Sequence, residues 1–182
     1  MNASIAPGVN RAAAFAANAP LMGVPGASSP PGGVGEWYRG AGGLRLRAAL
    51  WTPSPSIDDA PRGTVIVSPG RTEPIEKYFE LIGNLLARGF CVLAHDWRGQ
   101  GLSARLLPDR LRGHARAVEE FLDDYARLLD AFEARLPRPW IAIGHSMGAA
   151  LNLLTLEAGE TRLAGALLSS PSCVANSATT SS

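Results

Sequence analysis

WIAIGHSMGAALNLLTLEA, residues 140–158, is the stretch that decides the fold. Its first four residues form an apolar run typical of a buried strand, and the apolar residues within 149–158 are typical of a helix that packs on a sheet. Only Gly-His-Ser-Met-Gly, residues 144–148, separates the two segments. The chain must therefore turn sharply from strand to helix, and Ser146 stands at the centre of that turn.

Further apolar runs on both sides of this stretch predict more strands. Thr64–Ser68 and residues 90–94 are short apolar runs that end in loop residues, and residues 163–168 form another. Apolar and polar residues alternate in residues 43–52, where Arg47 falls on the polar side, so we expect a half-buried strand there.

Helical spacing of apolar residues predicts helices between these strands. One helix is expected from Pro74 to the capping glycine Gly89, and a longer one follows over residues 118–136. The charged residues between the apolar positions of the long helix are expected on its solvent side: Glu119, Asp123, Asp124 and Arg127. Alternating strands and helices predict a three-layer α/β architecture with a mostly parallel sheet.

Length and composition favour one soluble domain without a nucleic-acid surface. The chain has 182 residues, 46% of them hydrophobic, and its formal net charge of +1 comes from scattered basic residues. Cys91 and Cys173 have no metal-ligand spacing and no disulfide framework around them. We therefore expect a reducing, cytoplasmic location and no metal site.

The two ends of the chain differ from the rest in composition. Residues 1–35 are rich in Ala, Gly, Pro and Ser with Arg11 as their one charge, which predicts a disordered leader; a secretory signal is the alternative. Residues 172–182 are rich in Ser, Thr, Ala and Asn and predict a disordered tail. The domain is expected to span residues 36–171.

Ser146 in its G-x-S-x-G setting predicts a nucleophile. A strand, a sharp turn and a helix, with small residues Gly144 and Gly148 where the backbone crowds, make up a nucleophile elbow. The alternative, in which Ser146 merely caps the helix, leaves both glycines unexplained. The elbow predicts attack on an acyl carbonyl and an acyl-enzyme on Ser146.

Two backbone N–H groups are expected to form the oxyanion hole. One is the amide of Met147, directly after the nucleophile, at the N-terminus of the helix. The other should come from the loop after the first buried strand, where the amide of Arg71 is the candidate. The alternative for Arg71 is an ordinary exposed loop residue.

Several sequence blocks in unbroken order carry a family resemblance, which covers about residues 63–171. They are Ser68-Pro69-Gly70-Arg71, HDWRGQGLS at residues 95–103, Gly113-His114 and the G-H-S-M-G block at residues 144–148. Together they resemble the bacterial lysophospholipase and monoacylglycerol lipase branch of the α/β-hydrolases. The resemblance implies ester hydrolysis on a small single-chain lipid, transient contact with a membrane surface and no cofactor. It leaves the oligomeric state open.

The chain departs from the family pattern in two places, and neither departure removes a catalytic group. Ala149 stands where the family usually has another glycine, and Pro69 where many relatives carry histidine. Ala149 is expected to crowd the elbow slightly.

Other polar residues of these blocks are expected to be structural. In the family that the chain resembles, the acid follows a later strand, so Asp96 and Arg98 should brace their loop together with Gly99 and Gly101. His95 and His114 do not match the family's base position. The glycines of this loop also fail to form a dinucleotide-binding motif, because no G-x-G-x-x-G opens a helix after the first strand.

The acid and the histidine of a triad do not follow Ser146 in this sequence. No Asp or Glu comes after Glu160 and no His after His145, whereas α/β-hydrolases have the order Ser, acid, His. We therefore expect a chain without the family's lid and last strands, nearly inactive, with residues 163–168 as an exposed, aggregation-prone edge. The alternative function is a noncatalytic remnant or binding module.

Overall fold

The computed structural model describes residues 16–54 and 60–172. These residues form one sheet with the strand order β1-β2-β3-β5-β4-β6-β7. In chain order the strands are β1 (Ala16–Ala17), β2 (Val34–Arg39), β3 (Arg45–Trp51), β4 (Thr64–Ser68), β5 (Cys91–His95), β6 (Trp140–His145) and β7 (Leu163–Ser169). The strands β5, β4, β6 and β7 are parallel, and β1 to β3 join them as an antiparallel end. Of these three strands, the sequence pattern predicted only β3.

Three α-helices connect the parallel strands. They are α1 (Phe79–Leu86), α2 (Glu119–Phe132) and α3 (Met147–Glu157). The predicted helix from Pro74 to Gly89 begins with a 3-10 turn, Ile75–Tyr78, before α1. Likewise, α2 ends in the 3-10 turn Glu133–Arg135. Each predicted strand and helix is therefore present, with shifts of a few residues at the ends.

Two apolar cores lie on opposite faces of the sheet, because successive strand residues point to opposite sides. In β4, for example, Ile66 faces the core under α2 and α3, whereas Val65 and Val67 face the core under α1. Helices thus cover both faces of the sheet. The structure confirms the predicted three-layer α/β fold.

Two charged residues that were expected on polar faces are buried instead. Arg47 on β3 is completely buried, because its guanidinium pairs with Glu76 at 2.7 Å and with Asp96 at 2.6 Å. Asp124 on α2 is also fully buried and pairs with Arg98 at 2.6 Å. The prediction of a half-buried β3 and of a solvent-facing Asp124 was therefore wrong, since ion pairing satisfies both charges inside the protein.

Part of the expected disordered leader packs against the domain. The carbonyl of Pro20 accepts a hydrogen bond from Arg47, and the carbonyl of Pro30 accepts one from the indole of Trp51 at 3.1 Å. Residues 16–35 are therefore folded, because buried side chains of β3 need these backbone partners. The expectations for residues 1–15 and for the tail from Cys173 onward lie outside the described residues.

Strand β7 forms one edge of the sheet. Two of its leucines, Leu167 and Leu168, are 61% and 37% exposed. Within residues 16–54 and 60–172, no helix is long and apolar enough to cross a membrane.

Candidate functional site

The turn between β6 and α3 holds Ser146 in a strained backbone conformation. Its φ of 50° and ψ of −113° lie outside the regions that residues other than glycine commonly adopt. The amide of Ser146 donates to the carbonyl of Ser169 at 2.9 Å, and the carbonyl of Ser146 accepts from Ala150 at 3.1 Å. Hydrogen bonds to β7 and α3 thus fix the serine at the carboxyl end of the sheet.

The glycines beside Ser146 lie where the backbone leaves no room for a side chain. A Cβ atom on Gly148 would stand 2.1 Å from the carbonyl oxygen of Ser68, at the end of β4. One on Gly144 would stand 2.6 Å from the backbone of Ala149. This close approach of strand and helix is what a nucleophile elbow requires. Ala149 is itself completely buried in the same contact.

Two loop amides next to Arg71 already have hydrogen-bond partners. The amide of Gly70 donates to Glu73 Oε2 at 2.8 Å, and that of Thr72 donates to the side-chain oxygen of Gln100. Within the described part of the chain, the Arg71 amide donates no hydrogen bond. Met147 opens α3, so its amide has no acceptor within the helix.

Glu73 connects this loop with the histidine beside the serine. Its Oε2 accepts from the hydroxyl of Tyr78 at 2.5 Å and lies 3.1 Å from Nδ1 of His145. Partial burial raises the pKa of Glu73, but hydrogen bonds from Lys77, Tyr78, Gly70 and His145 lower it to about 2. Glu73 was not predicted as a site residue from the sequence. The one indication was its position in the loop after β4, which also carries Arg71.

A buried polar cluster lies beneath the elbow. The hydroxyl of Ser68 donates to Asn152 Oδ1 at 2.9 Å and lies 3.5 Å from His95 Nε2. His95 is fully buried, and this burial lowers its pKa to about 3. The imidazole is therefore neutral, and it contacts Ser68 in the interior.

Asp96 joins three segments of the chain from a fully buried position. Its carboxylate accepts from Arg47 Nε at 2.6 Å, from the amide of Leu102 at 2.8 Å and from the amide of Ile75 at 3.0 Å. Gly101 leaves space for this carboxylate, since a Cβ there would lie 2.1 Å from Asp96 Oδ2. The Asp96 carboxylate thus holds both the loop after β5 and the turn before α1 by hydrogen bonds to their backbone amides.

Arg98 connects the loop after β5 with α2. Its guanidinium forms a bidentate salt bridge with the Asp124 carboxylate, at 2.6 and 2.9 Å, and it pairs with Glu120 at 2.7 Å. Gly99 next to it has a φ of 75°, and a Cβ there would meet the amide of His114 at 3.0 Å. His114 itself is exposed.

A cavity of about 620 Å³ opens beside the elbow, and its lining includes both Met147 and Arg71. The ends of parallel strands are where open α/β sheets bind their ligands. Among the residues that the structure describes, no cluster of three or more His, Cys, Asp or Glu side chains could hold a metal ion.

Known proteins of similar sequence and structure are hydrolases. Residues 59–181 match the family model described as serine aminopeptidase, S33. Lysophospholipase L2 of Escherichia coli (strain K12) is 41% identical over 96 residues, which is 51% of this chain and 28% of that protein. Monoglyceride lipase of Homo sapiens is 32% identical over 146 residues, covering 77% of this chain and 44% of the lipase.

A solved α/β hydrolase from Novosphingobium aromaticivorans superposes with a TM-score of 0.58 and 26% identity, covering 77% of this chain and 45% of that one. The chain thus spans less than half the length of these relatives. The family match nevertheless covers well over half of the chain, including β4 to β7 and the elbow. The chain therefore belongs to the α/β-hydrolase family described as serine aminopeptidase, S33, and it is lysophospholipase-like in sequence.

Proposed function

We propose that this chain acts in the hydrolysis of carboxylic esters of single-chain lipids, through an acyl-enzyme on Ser146. The observation that carries the proposal is the strained Ser146 at the strand-to-helix turn, directly before the free helix N-terminus at Met147. The similarity to a lysophospholipase and a monoglyceride lipase supports the substrate class. Nucleophilic serines in this setting attack acyl carbonyls.

The reaction follows the usual two steps. The Oγ of Ser146 attacks the ester carbonyl carbon, and its proton passes through a general base to the leaving alcohol. The amides of Met147 and Arg71 donate hydrogen bonds to the carbonyl oxygen on which negative charge develops, because neither amide donates to another group among the described residues. Water then hydrolyses the acyl-enzyme, which releases the fatty acid and regenerates the serine.

The remaining residues of the site position these groups. Glu73 holds the Gly70 amide, and with it the loop that presents Arg71. Asp96 and Arg98 brace the loop after β5, which forms the facing wall of the cavity. We propose that both are structural and take no part in proton transfer.

A binding module that lacks hydrolytic activity is the second candidate. One observation favours it: among the described residues, no histidine or carboxylate forms a hydrogen bond with the hydroxyl of Ser146. Of the three histidines present, His95 is buried against Ser68 and His145 contacts Glu73. Loss of triad partners lowers turnover by a factor on the order of 10⁶.

Labelling with a long-chain alkyl fluorophosphonate distinguishes the two candidates. The folded 182-residue chain is treated near neutral pH, and the site of the adduct is found by mass spectrometry. We expect labelling of Ser146, faster than that of an ordinary serine by roughly the 10³-fold that an oxyanion hole and binding supply without a full triad. Ser146→Ala should remove the label, and Ser28→Ala, at an exposed loop position, should retain it. Folded protein without an adduct would favour the binding module.

A further inference from the structure

The cavity beside Ser146 has an unusual charge. Its walls come from the loop after β4, from residues 98–118 and from the start of α2. Among the described residues, five arginines line it, and no Asp or Glu does. These arginines are Arg71, Arg98, Arg105, Arg110 and Arg116.

Two of the five arginines are held by groups of the protein. Arg98 is neutralised by Asp124 and Glu120. Arg105 donates to the carbonyls of Gly99 and Gly101, and its Nε is buried without a hydrogen-bond partner. Carbonyl oxygens carry no net charge, so the positive charge of Arg105 remains uncompensated.

The other three arginines are free to contact a ligand. In the described part of the chain, no carboxylate forms an ion pair with Arg71, Arg110 or Arg116. The carboxylate next to Arg116 is that of Glu120, which accepts from the Arg116 amide at 2.9 Å and pairs with Arg98. Guanidinium groups stay protonated at all physiological pH values. A concave site lined by one sign of charge concentrates ligands of the opposite sign.

The same cavity also has apolar walls. Val118, directly before α2, and Phe121 of α2 line it, together with Leu111 and Met147. A ligand that satisfies both kinds of wall has an anionic group and a hydrocarbon part. Among the described residues no carboxylate lines the cavity, and the neighbouring Glu120 is already paired with Arg98, so a second, cationic group on the ligand would find no unpaired counter-charge.

We propose that this cavity binds the phosphate of an anionic single-chain glycerophospholipid, in preference to a zwitterionic or a neutral glycerol ester. The inference rests on the proposed function, because it places the ester of this lipid at Ser146. Arginine suits the role, since its planar fork binds two phosphate oxygens at once. Arg110 and Arg116 are specificity-determining residues for the head group, and Arg105 supports them from the wall.

Binding measurements test this proposal without requiring turnover. Isothermal titration calorimetry on the Ser146→Ala chain compares four short-chain probes below their micelle concentrations: hexanoyl lysophosphatidic acid, hexanoyl lysophosphatidylcholine, hexanoyl glycerol and inorganic phosphate. We expect the first to bind about tenfold or more tightly than any other, a difference the size of one charge-assisted hydrogen bond. Its affinity should fall as NaCl rises from about 0.05 M to about 0.5 M.

Arginine variants locate the site. Arg110→Gln and Arg116→Gln should each weaken the binding of hexanoyl lysophosphatidic acid by about tenfold and leave the affinity for hexanoyl glycerol unchanged. Arg88→Gln, an exposed arginine next to α1 and away from the cavity, serves as the matched control. Because all three arginines are exposed, we expect the three variants to have the same melting temperature as the wild type, which would show that they fold.

Three results would overturn the proposal. The first is equal affinity for hexanoyl lysophosphatidic acid and either hexanoyl lysophosphatidylcholine or hexanoyl glycerol. The second is no effect of either arginine variant. The third is inorganic phosphate binding as tightly as hexanoyl lysophosphatidic acid, which would indicate a site for free phosphate. Failure of the proposed function has a different signature, because fluorophosphonate would then leave Ser146 unlabelled while the order of probe affinities stayed the same.

Discussion

A Cβ atom added to Gly148 would lie 2.1 Å from the carbonyl oxygen of Ser68, a distance that real side chains do not reach. The first turn of α3 therefore rests directly on the end of β4. This contact brings the elbow and the loop that carries Arg71 to the same place. It is the geometric basis of the candidate site.

Replacing Gly148 by alanine should destabilise the protein by about 3 kcal/mol, because the new methyl group meets rigid backbone. Urea unfolding followed by circular dichroism measures this change. Gly165→Ala in β7 is the control, since a Cβ there has no atom within 4 Å. Equal stability of the two variants would contradict the close contact between Gly148 and Ser68.

Replacing Arg47 by methionine should cost about 3–5 kcal/mol of unfolding free energy, because Glu76 and Asp96 would remain as buried charges without a partner. The control is Arg138→Met, whose pair with Glu133 is half exposed and should change stability by less than about 0.5 kcal/mol. A small effect at Arg47 would mean that the two carboxylates are solvated.

The low pKa of Glu73 predicts an acid-dependent contribution to stability. Since folding lowers this pKa from 4.5 to about 2, the stabilisation is fully present above pH 4.5 and is lost as the pH falls towards 2. Glu73→Gln should lower the melting temperature at neutral pH by ~2–4 °C, which corresponds to about 1 kcal/mol.

The melting curves of wild type and Glu73→Gln should converge near pH 2 in differential scanning calorimetry. Glu80→Gln serves as the control, because this exposed carboxylate of α1 is not part of the loop that contains Gly70. A constant difference between wild type and Glu73→Gln at every pH would argue against the lowered pKa.

Lysine in place of Leu167 should raise the fraction of monomer in size-exclusion chromatography. This leucine is 61% exposed on β7 at the edge of the sheet, where apolar strands associate. Leu153→Lys on α3 provides the control, since Leu153 is also exposed, at 42%, but lies on a helix. If both lysine variants raised the monomer fraction equally, association would depend on exposed apolar surface in general rather than on the edge strand.

The fold class and the position of the elbow could be predicted from the sequence because both depend on local patterns. Apolar runs of strand length and helical spacing predicted β4 to β7 and the three helices. The glycines beside Ser146 indicated crowding before any neighbour was known, and the structure supplies Ser68 and Ala149 as those neighbours.

Only the tertiary structure decided which charges are buried and which residues share the site. Arg47 alternates with apolar residues like any surface arginine, and its partners Glu76 and Asp96 are far away in sequence. Glu73 reaches His145 because the carboxyl ends of β4 and β6 are neighbours in the sheet. Ion pairs and loop contacts between distant segments leave no periodic trace in a sequence, whereas strand and helix patterns arise from neighbouring residues.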